Sequence, residues 1–400
     1  MNLYNQKQII YLINSPLSER DFNGFGIKNW INRGWKVNVF DFTFSLYPKF
    51  WKFINEDKLS CNFEGLRVFL NINEALTVLQ SLENKVVYID FLGFSAAEVR
   101  IRKVVQRNGV LIRMLLNSLP EPKSTINISN IFSLIKNPII SLGKLFLFVE
   151  NKIEQIRAKR TIPDYLVVGG AKSMLGVNNK KTSVIKAHNF DYDFFIKEKQ
   201  TKLNKKKKFL VFLDEDGPYH SDYIHLGIRP FVTADKYFPV IDLGLSEIAK
   251  SLNLKIKIAA HPRSNYGLKK KKYKHPIIEN KSFELIRNAD LIVAHNSTAL
   301  QWAIIMKKPI IFVTTNEIEN TYYGRPYAKN INYFATILGS KVVNLNDVSR
   351  IINWKDYLSI DKEKYKKYID TFVKTKESPE KLVWDIVINN IEKDLFVLKK

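Results

Sequence analysis

An alternation repeated along nearly the whole chain constrains its fold more than any other feature. Short apolar runs rich in β-branched and aromatic residues are separated by stretches long enough to form amphipathic helices. In the first half the runs are Gln8–Ile13, Lys36–Phe40, Leu66–Leu70, Lys85–Phe91, Val110–Leu116 and Tyr165–Val168. Helical-length segments lie between several of them, as around Gly26–Arg33 and Ile72–Ser81. The second half repeats the pattern with Phe209–Leu213, Lys255–Ala259, Leu291–Ala294, Pro309–Val313 and Lys341–Val343. Strands spaced this way are joined by crossovers rather than hairpins, which demands parallel pairing and helices on the sheet faces.

Four hundred residues, 46% of them apolar, can fill more than one core. Between the halves lies Lys197–Lys208, almost wholly polar and lysine-rich, which reads as an inter-domain linker. The expected organisation is a first domain over 1–196, the linker over 197–208, a second domain over 209–375 and a terminal helix within 376–400. That helix is predicted over Pro379–Leu398, where Leu382, Val383, Ile386, Ile388 and Ile391 recur near helical spacing. No short-period repeat is present. The expected fold class is α/β, with two Rossmann-like domains facing a cleft.

The single cysteine, Cys61, excludes a disulfide framework and any Cys-based zinc site, and points to a reducing cytoplasm. The amino terminus lacks the basic-then-apolar pattern of a signal peptide, and no run of 18 uncharged apolar residues exists. A net charge of +24 includes two dense blocks, Lys205–Lys208 and Lys269–Lys272. With no zinc-finger, RNP or helix-turn-helix pattern beside them, nucleic acid is not the expected partner. Two readings of the blocks stay open, an anionic membrane surface as partner and plain solvated lysine. Ile131–Val149 is apolar but broken by Lys136, Pro138, Gly143 and Lys144, and reads either as buried helices or as an interfacial helix.

Two polar clusters stand where strands stop. The run ending at Ala259 is followed by Ala260-His261-Pro262-Arg263-Ser264, and the run Leu291–Ala294 by His295-Asn296-Ser297-Thr298 and then a helix predicted over Ala299–Lys307. Open parallel sheets bind ligands at this carboxyl edge. Pro262 has no N–H and ends the ladder, so the chain turns and the His261 imidazole can face the cleft. Arg263 can hold a phosphate or carboxylate in a bidentate contact. Ser297 and Thr298 suit a helix cap, and equally a phosphate at a helix start, with Asn296 assisting. Glu317, just past the run Pro309–Val313, is placed either to bind ribose hydroxyls or as an ordinary loop glutamate. A nucleotide or another phosphorylated ligand is expected. The absence of a Walker lysine loop and of Gly-x-Gly-x-x-Gly at the first strand argues against an ATPase or a dinucleotide dehydrogenase.

His261-Pro262 followed by Ser297-Thr298 resembles the His-Pro and Ser-Ser/Thr motif pair of bacterial sialyltransferases, polysialyltransferases and capsule Kdo transferases. The wider second half resembles surface-polysaccharide biosynthesis proteins. Ser18-Glu19-Arg20-Asp21-Phe22 with Gly24-Phe25-Gly26 resembles the opening loop of the same group. The resemblance implies a GT-B glycosyltransferase, inverting and metal-independent. Its donor would be a CMP-activated sialic-type nonulosonate or Kdo, with no other cofactor. Its acceptor would be a surface glycan of capsule, O-antigen or lipooligosaccharide, lipid-linked and met at the cytoplasmic face of the inner membrane.

An inverting transfer needs a general base beside the acceptor hydroxyl. In this kind of enzyme the base comes from the first domain, which favours Asp21 and then Glu19 in the loop after the first strand. A rival is Asp214-Glu215-Asp216-Gly217, similar to the Asp/Glu-Asp/Glu-Gly motif that supplies the base in bacterial sialyltransferases, although here it opens the second domain rather than lying in the first. With His220 and Asp222 the same cluster fits neither a zinc signature nor a calcium loop. Gly169-Gly170 and His188-Asn189-Phe190-Asp191 are further candidates to face the acceptor. Two other readings remain open: a GT-B transferase or epimerase using a UDP- or GDP-hexose, and a non-catalytic binding protein of polysaccharide assembly.

Overall fold

The structure is a computed structural model and describes residues 7–48, 61–82, 86–116, 119, 120, 122, 161–174, 181–198, 208–220, 223, 229–262, 264, 266–268, 272–348 and 353–397. Among them are two fully parallel sheets. The first holds β1 (Gln8–Ile13), β2 (Lys36–Asp41), β3 (Leu66–Val68), β4 (Val86–Asp90), β5 (Gly109–Leu115), β6 (Tyr165–Val168) and β7 (Ser183–Lys186), in the order β3-β2-β1-β4-β5-β6-β7. The second holds β8 (Phe209–Leu213), β9 (Lys255–Ala259), β10 (Ile277–Ile278), β11 (Leu291–Ala294), β12 (Ile310–Thr314) and β13 (Val342–Asn344), in the order β10-β9-β8-β11-β12-β13. In each sheet the order reverses once, between β1 and β4 and between β8 and β11. The fold class is the one expected.

The central strands β4, β6, β8, β11 and β12 are buried at every position, because helices cover both faces. That double burial makes them continuous apolar runs. β12 begins one residue later than expected, at Ile310, since Pro309 has no N–H for the ladder. β7 and β10 were not expected. Both are edge strands, four and two residues long, and an edge strand needs no continuous apolar run. The apolar segment 131–149 lies outside the described residues, as do most residues of the two lysine blocks. Among the described residues no helix is long and apolar enough to cross a membrane.

The chain passes between the two cores at His188–Asn189 and returns at Val373–Lys374, and the two passages lie side by side. His188 forms a bridge with Lys374, and the Asn189 N–H donates to Val373 O at 2.9 Å. The helix Phe190–Glu198 carries Tyr192 into the second core, while residues 199–207 lie outside the described set. Across the same boundary Trp302 Nε1 donates to Asp191 O at 3.0 Å, and Asn189 Nδ2 donates to Gln301 Oε1.

The terminal helix spans Val383–Glu392 and packs on the first domain, not the second. Its first N–H is capped from the other side of the boundary: Asp193 Oδ1 accepts from Val383 N at 2.9 Å. Trp384 Nε1 donates to Gly24 O at 2.7 Å, and its ring lies over Gly26. Gly26 has φ +68°, and a Cβ there would stand 2.2 Å from the indole. The glycine serves both the left-handed turn and the close approach. Trp384→Ala should therefore destabilise the fold by about 3–5 kcal/mol, the range for emptying a large aromatic site. Gly26→Ala should also lower stability. Urea midpoints for the two variants check both, and a Trp384→Ala midpoint equal to the parent's would refute this docking of the helix.

Candidate functional site

The second sheet reverses its order between β8 and β11, and a crevice at such a point is the usual ligand site of an open parallel sheet. Here it is a cavity of about 360 Å³. Its polar lining comes from three strand ends: Glu215, Gly217 and His220 after β8, His261 after β9, and His295 to Thr298 after β11. Its apolar walls come from Tyr223, Phe231, Tyr237, Ile318 and Tyr327. Of the residues singled out from the sequence, the structure gathers Glu215, His261, Asn296, Ser297 and Thr298 around one space.

Glu215 closes the reversal point. Its Oε1 accepts the Asn296 N–H at 2.6 Å, and its Oε2 accepts the Tyr327 hydroxyl. Burial raises its carboxyl to about 7, while the Tyr327 and Asn296 donors pull it down and the charge of Asp214 adds to the rise. A proton acceptor poised near neutrality thus lines the cavity.

Its neighbours have other tasks. Asp214 is buried, with Oδ1 accepting from Tyr273 OH at 2.6 Å and from the Asp216 N–H at 3.0 Å, and Oδ2 accepting from Tyr266 OH. Burial pushes its carboxyl up and the two phenols hold it down. Asp214 does not line the cavity, so it acts as an anchor for the loop rather than as the proton acceptor considered for it. Asp216 takes the left-handed conformation, φ 54°, and its Oδ2 accepts from Ser264 Oγ at 2.6 Å. The Ser264 N–H in turn donates to His261 O at 2.9 Å, closing the turn that contains Pro262. The loop bearing Glu215 is thereby tied to the loop bearing His261.

His295 is held neutral. Its Nδ1 lies 2.7 Å from Val313 O, which can only accept, so Nδ1 carries the hydrogen and Nε2 accepts from Tyr237 OH at 2.8 Å. Burial lowers its pKa to about 4, against the Val313 contact. The imidazole thus fixes the Tyr237 hydroxyl at the cavity wall.

Ser297 and Thr298 form a tight turn before the helix: Leu300 N donates to Ser297 O at 3.2 Å, and Gln301 N to Thr298 O at 3.1 Å. The helix spans only Leu300–Ile305, shorter than expected at both ends, and all six residues are buried. It stops where Lys307 turns left-handed, φ 54°. The polar groups this turn offers the cavity are therefore side-chain hydroxyls, not the start of a long helix.

Other candidates fall elsewhere. Asp21 lies in the first turn of the helix Glu19–Gly24 and is held by its N-cap, Ser18, whose Oγ donates to Asp21 Oδ2 at 2.7 Å and accepts the Asp21 N–H at 3.1 Å. Glu19 is exposed in the first turn and meets the Cys61 thiol. Neither lines the cavity, so the opening loop uses its carboxylates to start a helix. That loop does reach the domain boundary through Arg20, whose charge acts on Asp191, a carboxyl raised to about 6 by burial. Glu317 also lies off the cavity, and its carboxylate accepts from Thr233 N–H at 3.1 Å and Thr233 Oγ1 at 2.9 Å, securing the start of the helix Ala234–Leu252 instead of awaiting a ribose. Arg263 and Asp222 lie outside the described residues. Among the described residues no group of three or more His, Cys, Asp or Glu is arranged to hold a metal ion. Sequence reasoning missed Tyr237 and Tyr327, which stand at ordinary core positions of their helices, and gave no sign that the His220 ring lies 4.9 Å from that of His261.

No protein-family model matches the sequence, and no curated protein matches it either. Solved structures do. The wall teichoic acid polymerase TagF aligns over 98% of this chain and 90% of its own, at 15% identity and a TM-score of 0.50. The calicheamicin glycosyltransferase CalG4 aligns over 91% and 94%, at 10% identity and a TM-score of 0.48. MurG of Acinetobacter baumannii aligns over 97% and 99%, at 8% identity and a TM-score of 0.46. At 15% identity the likeness to TagF is one of fold: an α/β chain of two Rossmann-like domains facing a cleft, in the GT-B arrangement.

Proposed function

We propose that this protein is an inverting glycosyltransferase that moves a sialic-type nonulosonate or Kdo from a CMP-activated donor to a surface glycan. The reading is carried by one observation: Glu215, His261, Ser297 and Thr298, from three different strand ends, line a single cavity at the reversal point of the second sheet. The GT-B fold and the resemblance of His261-Pro262 and Ser297-Thr298 to CMP-sugar transferase motifs support it.

In the transfer, the acceptor hydroxyl oxygen attacks the anomeric carbon and the bond from that carbon to the CMP phosphate oxygen breaks. The electron pair stays on the phosphate. His261, Ser297 and Thr298 donate to it there, and their hydrogen bonds strengthen as its charge grows. The acceptor proton passes to Glu215. A carboxylate offers about four lone pairs, and the Asn296 and Tyr327 donors use two of them. Asp214 positions the loop. The protein works in the cytoplasm at the anionic inner face of the inner membrane, where its +24 charge favours association.

A ligand that binds only the folded chain raises its melting temperature. CMP should do so more than UMP, UDP or GDP at equal concentration. A larger shift with UDP or GDP would move the donor to a hexose nucleotide, and no shift with any nucleotide would defeat the reading altogether.

His261→Ala, and Ser297→Ala with Thr298→Ala, should fold normally and weaken CMP binding about tenfold or more, the cost of losing hydrogen bonds to a charged group. Calorimetric titration reads this directly. Parent-like affinity in both variants would remove the phosphate role.

Glu215→Gln should cut turnover about 10²- to 10⁴-fold, as for a lost general base, with CMP affinity little changed. In the parent enzyme kcat/KM should fall with acid through a pKa of about 7, because the base must be ionised. An acid limb that persists unchanged in a still-active Glu215→Gln variant would assign the base elsewhere.

A further inference from the structure

We infer that Arg113 and Phe94 form a subsite for an acidic sugar at the carboxyl edge of the first sheet, the guanidinium taking a carboxylate or phosphate and the ring taking a face of the sugar. The inference rests on the transferase reading and names the class of its acceptor: a glycan that carries an acid group.

Strand order gives the place. The first sheet reverses between β1 and β4, so its crevice is expected beside the loop after β4. Phe94 stands in that loop, ahead of the helix Ala96–Asn108. Arg113 lies on β5, paired in register with Asp90, the last residue of β4. This edge of the sheet adjoins the second domain. Gly169, directly after β6, lies against Val373 O and Asn189 N, where the chain passes between the domains. Asn189 in turn donates to Gln301, which follows closely on Thr298.

Arg113 is a nearly buried cation whose hydrogen-bond donors are unused. It is 8% exposed, and among the described residues its guanidinium makes no hydrogen bond. Its ion-pair contact, Nε to Asp90 Oδ2, is 4.0 Å long, beyond hydrogen-bond length. Asp90 is already engaged: Oδ2 accepts from Arg102 Nε at 2.7 Å, and Oδ1 accepts from Arg102 Nη2 at 3.2 Å and Leu92 N at 2.9 Å. Glu98, the other carboxylate whose charge acts on Arg113, is engaged as well. Its Oε1 accepts from Gly93 N and Asn14 Nδ2, and its Oε2 from Ser95 N, each at 2.8 Å.

These two carboxylates and two guanidiniums balance in charge, so what remains open is hydrogen bonding. Burial and then the like charge of Arg102 lower Arg113 to about 10, against the pull of Asp90 and Glu98. It is still a cation at neutral pH, held there at a cost. An acid group on a ligand supplies the missing acceptors, and a guanidinium presents a planar fork that matches carboxylate or phosphate. Arg102 is fully buried behind it, so Arg113 is the member of the pair that a ligand meets. The Phe94 ring lies 4.4 Å from the Arg113 guanidinium and is 49% exposed. An exposed aromatic face beside a few placed polar groups is the composition of a ligand site.

The test is a ligand-observed NMR titration of the full chain with methyl glucuronide, glucose 6-phosphate and neutral methyl glucoside. It compares the parent with Arg113→Gln, Arg113→Lys and Phe94→Ala, and CMP affinity is measured in each. At least one acid should bind the parent about tenfold more tightly than methyl glucoside, and the tighter acid identifies the group on the acceptor. Arg113→Gln should abolish that preference. Arg113→Lys, which keeps the charge but not the fork, should retain only part of it. Phe94→Ala should weaken acid and neutral sugars alike, and CMP affinity should stay parent-like throughout. Equal binding of the three sugars by the parent would overturn the proposal, as would an undiminished preference in Arg113→Gln or unchanged sugar affinity in Phe94→Ala. An equal loss of CMP affinity in Arg113→Gln would overturn it too, because that marks a structural role. If the acid preference depends on Arg113 but CMP does not bind, the subsite stands and the transferase reading falls. If CMP binds and neither acid does, the reading stands and the subsite falls.

Discussion

Parallel strand direction is the constraint from which the rest follows. A parallel strand must be followed by a crossover to the opposite end of the sheet, so every strand finishes at the same edge. In the second domain that places the loops after β8, β9 and β11 side by side although up to about eighty residues separate them in the chain. The reversal of strand order between β8 and β11 then opens a gap that no crossover helix fills. The hydrogen bond from Asn296 N–H to Glu215 spans that gap, and the cavity forms beside it.

Charge at this edge is sorted by burial and by hydrogen-bond donors. Asp214 and Glu215 are neighbours in sequence with unlike roles. Asp214 points into the domain, where two phenols and a backbone N–H satisfy it. Glu215 points into the cavity, with donors on both oxygens but lone pairs to spare. The histidines divide in the same way. His295 spends both ring nitrogens on Val313 and Tyr237 in the wall, and the rings of His261 and His220 meet at the cavity. One set of groups holds the loops in place, and the other set lines the cavity.

Domain architecture rests on a different device. The chain crosses the boundary twice within one small region, where Asn189 and Val373 are hydrogen-bonded, and then sends its last helix back to the first domain. Trp384 over Gly26 anchors that return, and Asp193 caps the helix from the segment that crossed first. The two passages are thus tied to each other, which is how two separate cores can be held facing one cleft.

Most of the strands were legible in the sequence, because a strand buried on both faces must be a continuous apolar run. The edge strands β7 and β10 escaped for the converse reason. His261, Ser297 and Thr298 were legible as well: polar residues directly after a buried strand lie at the carboxyl edge whatever the details of the helices. The carboxylates were not. Asp21, Glu19, Asp214, Glu215 and Glu317 look alike in sequence, and only the folded chain shows that Asp21 and Glu317 secure helix starts, that Asp214 is an anchor, and that Glu215 alone of these faces the cavity. Tyr237 and Tyr327 sit at positions that read as core, and His220 carries no local signal of its proximity to His261. Periodicity and strand ends are properties of neighbouring residues, so the sequence by itself determined the fold class and the edge at which the cavity lies. Hydrogen-bond partners, burial and the meeting of distant loops are properties of the packed chain, so only the tertiary structure decided which of those polar groups line the cavity.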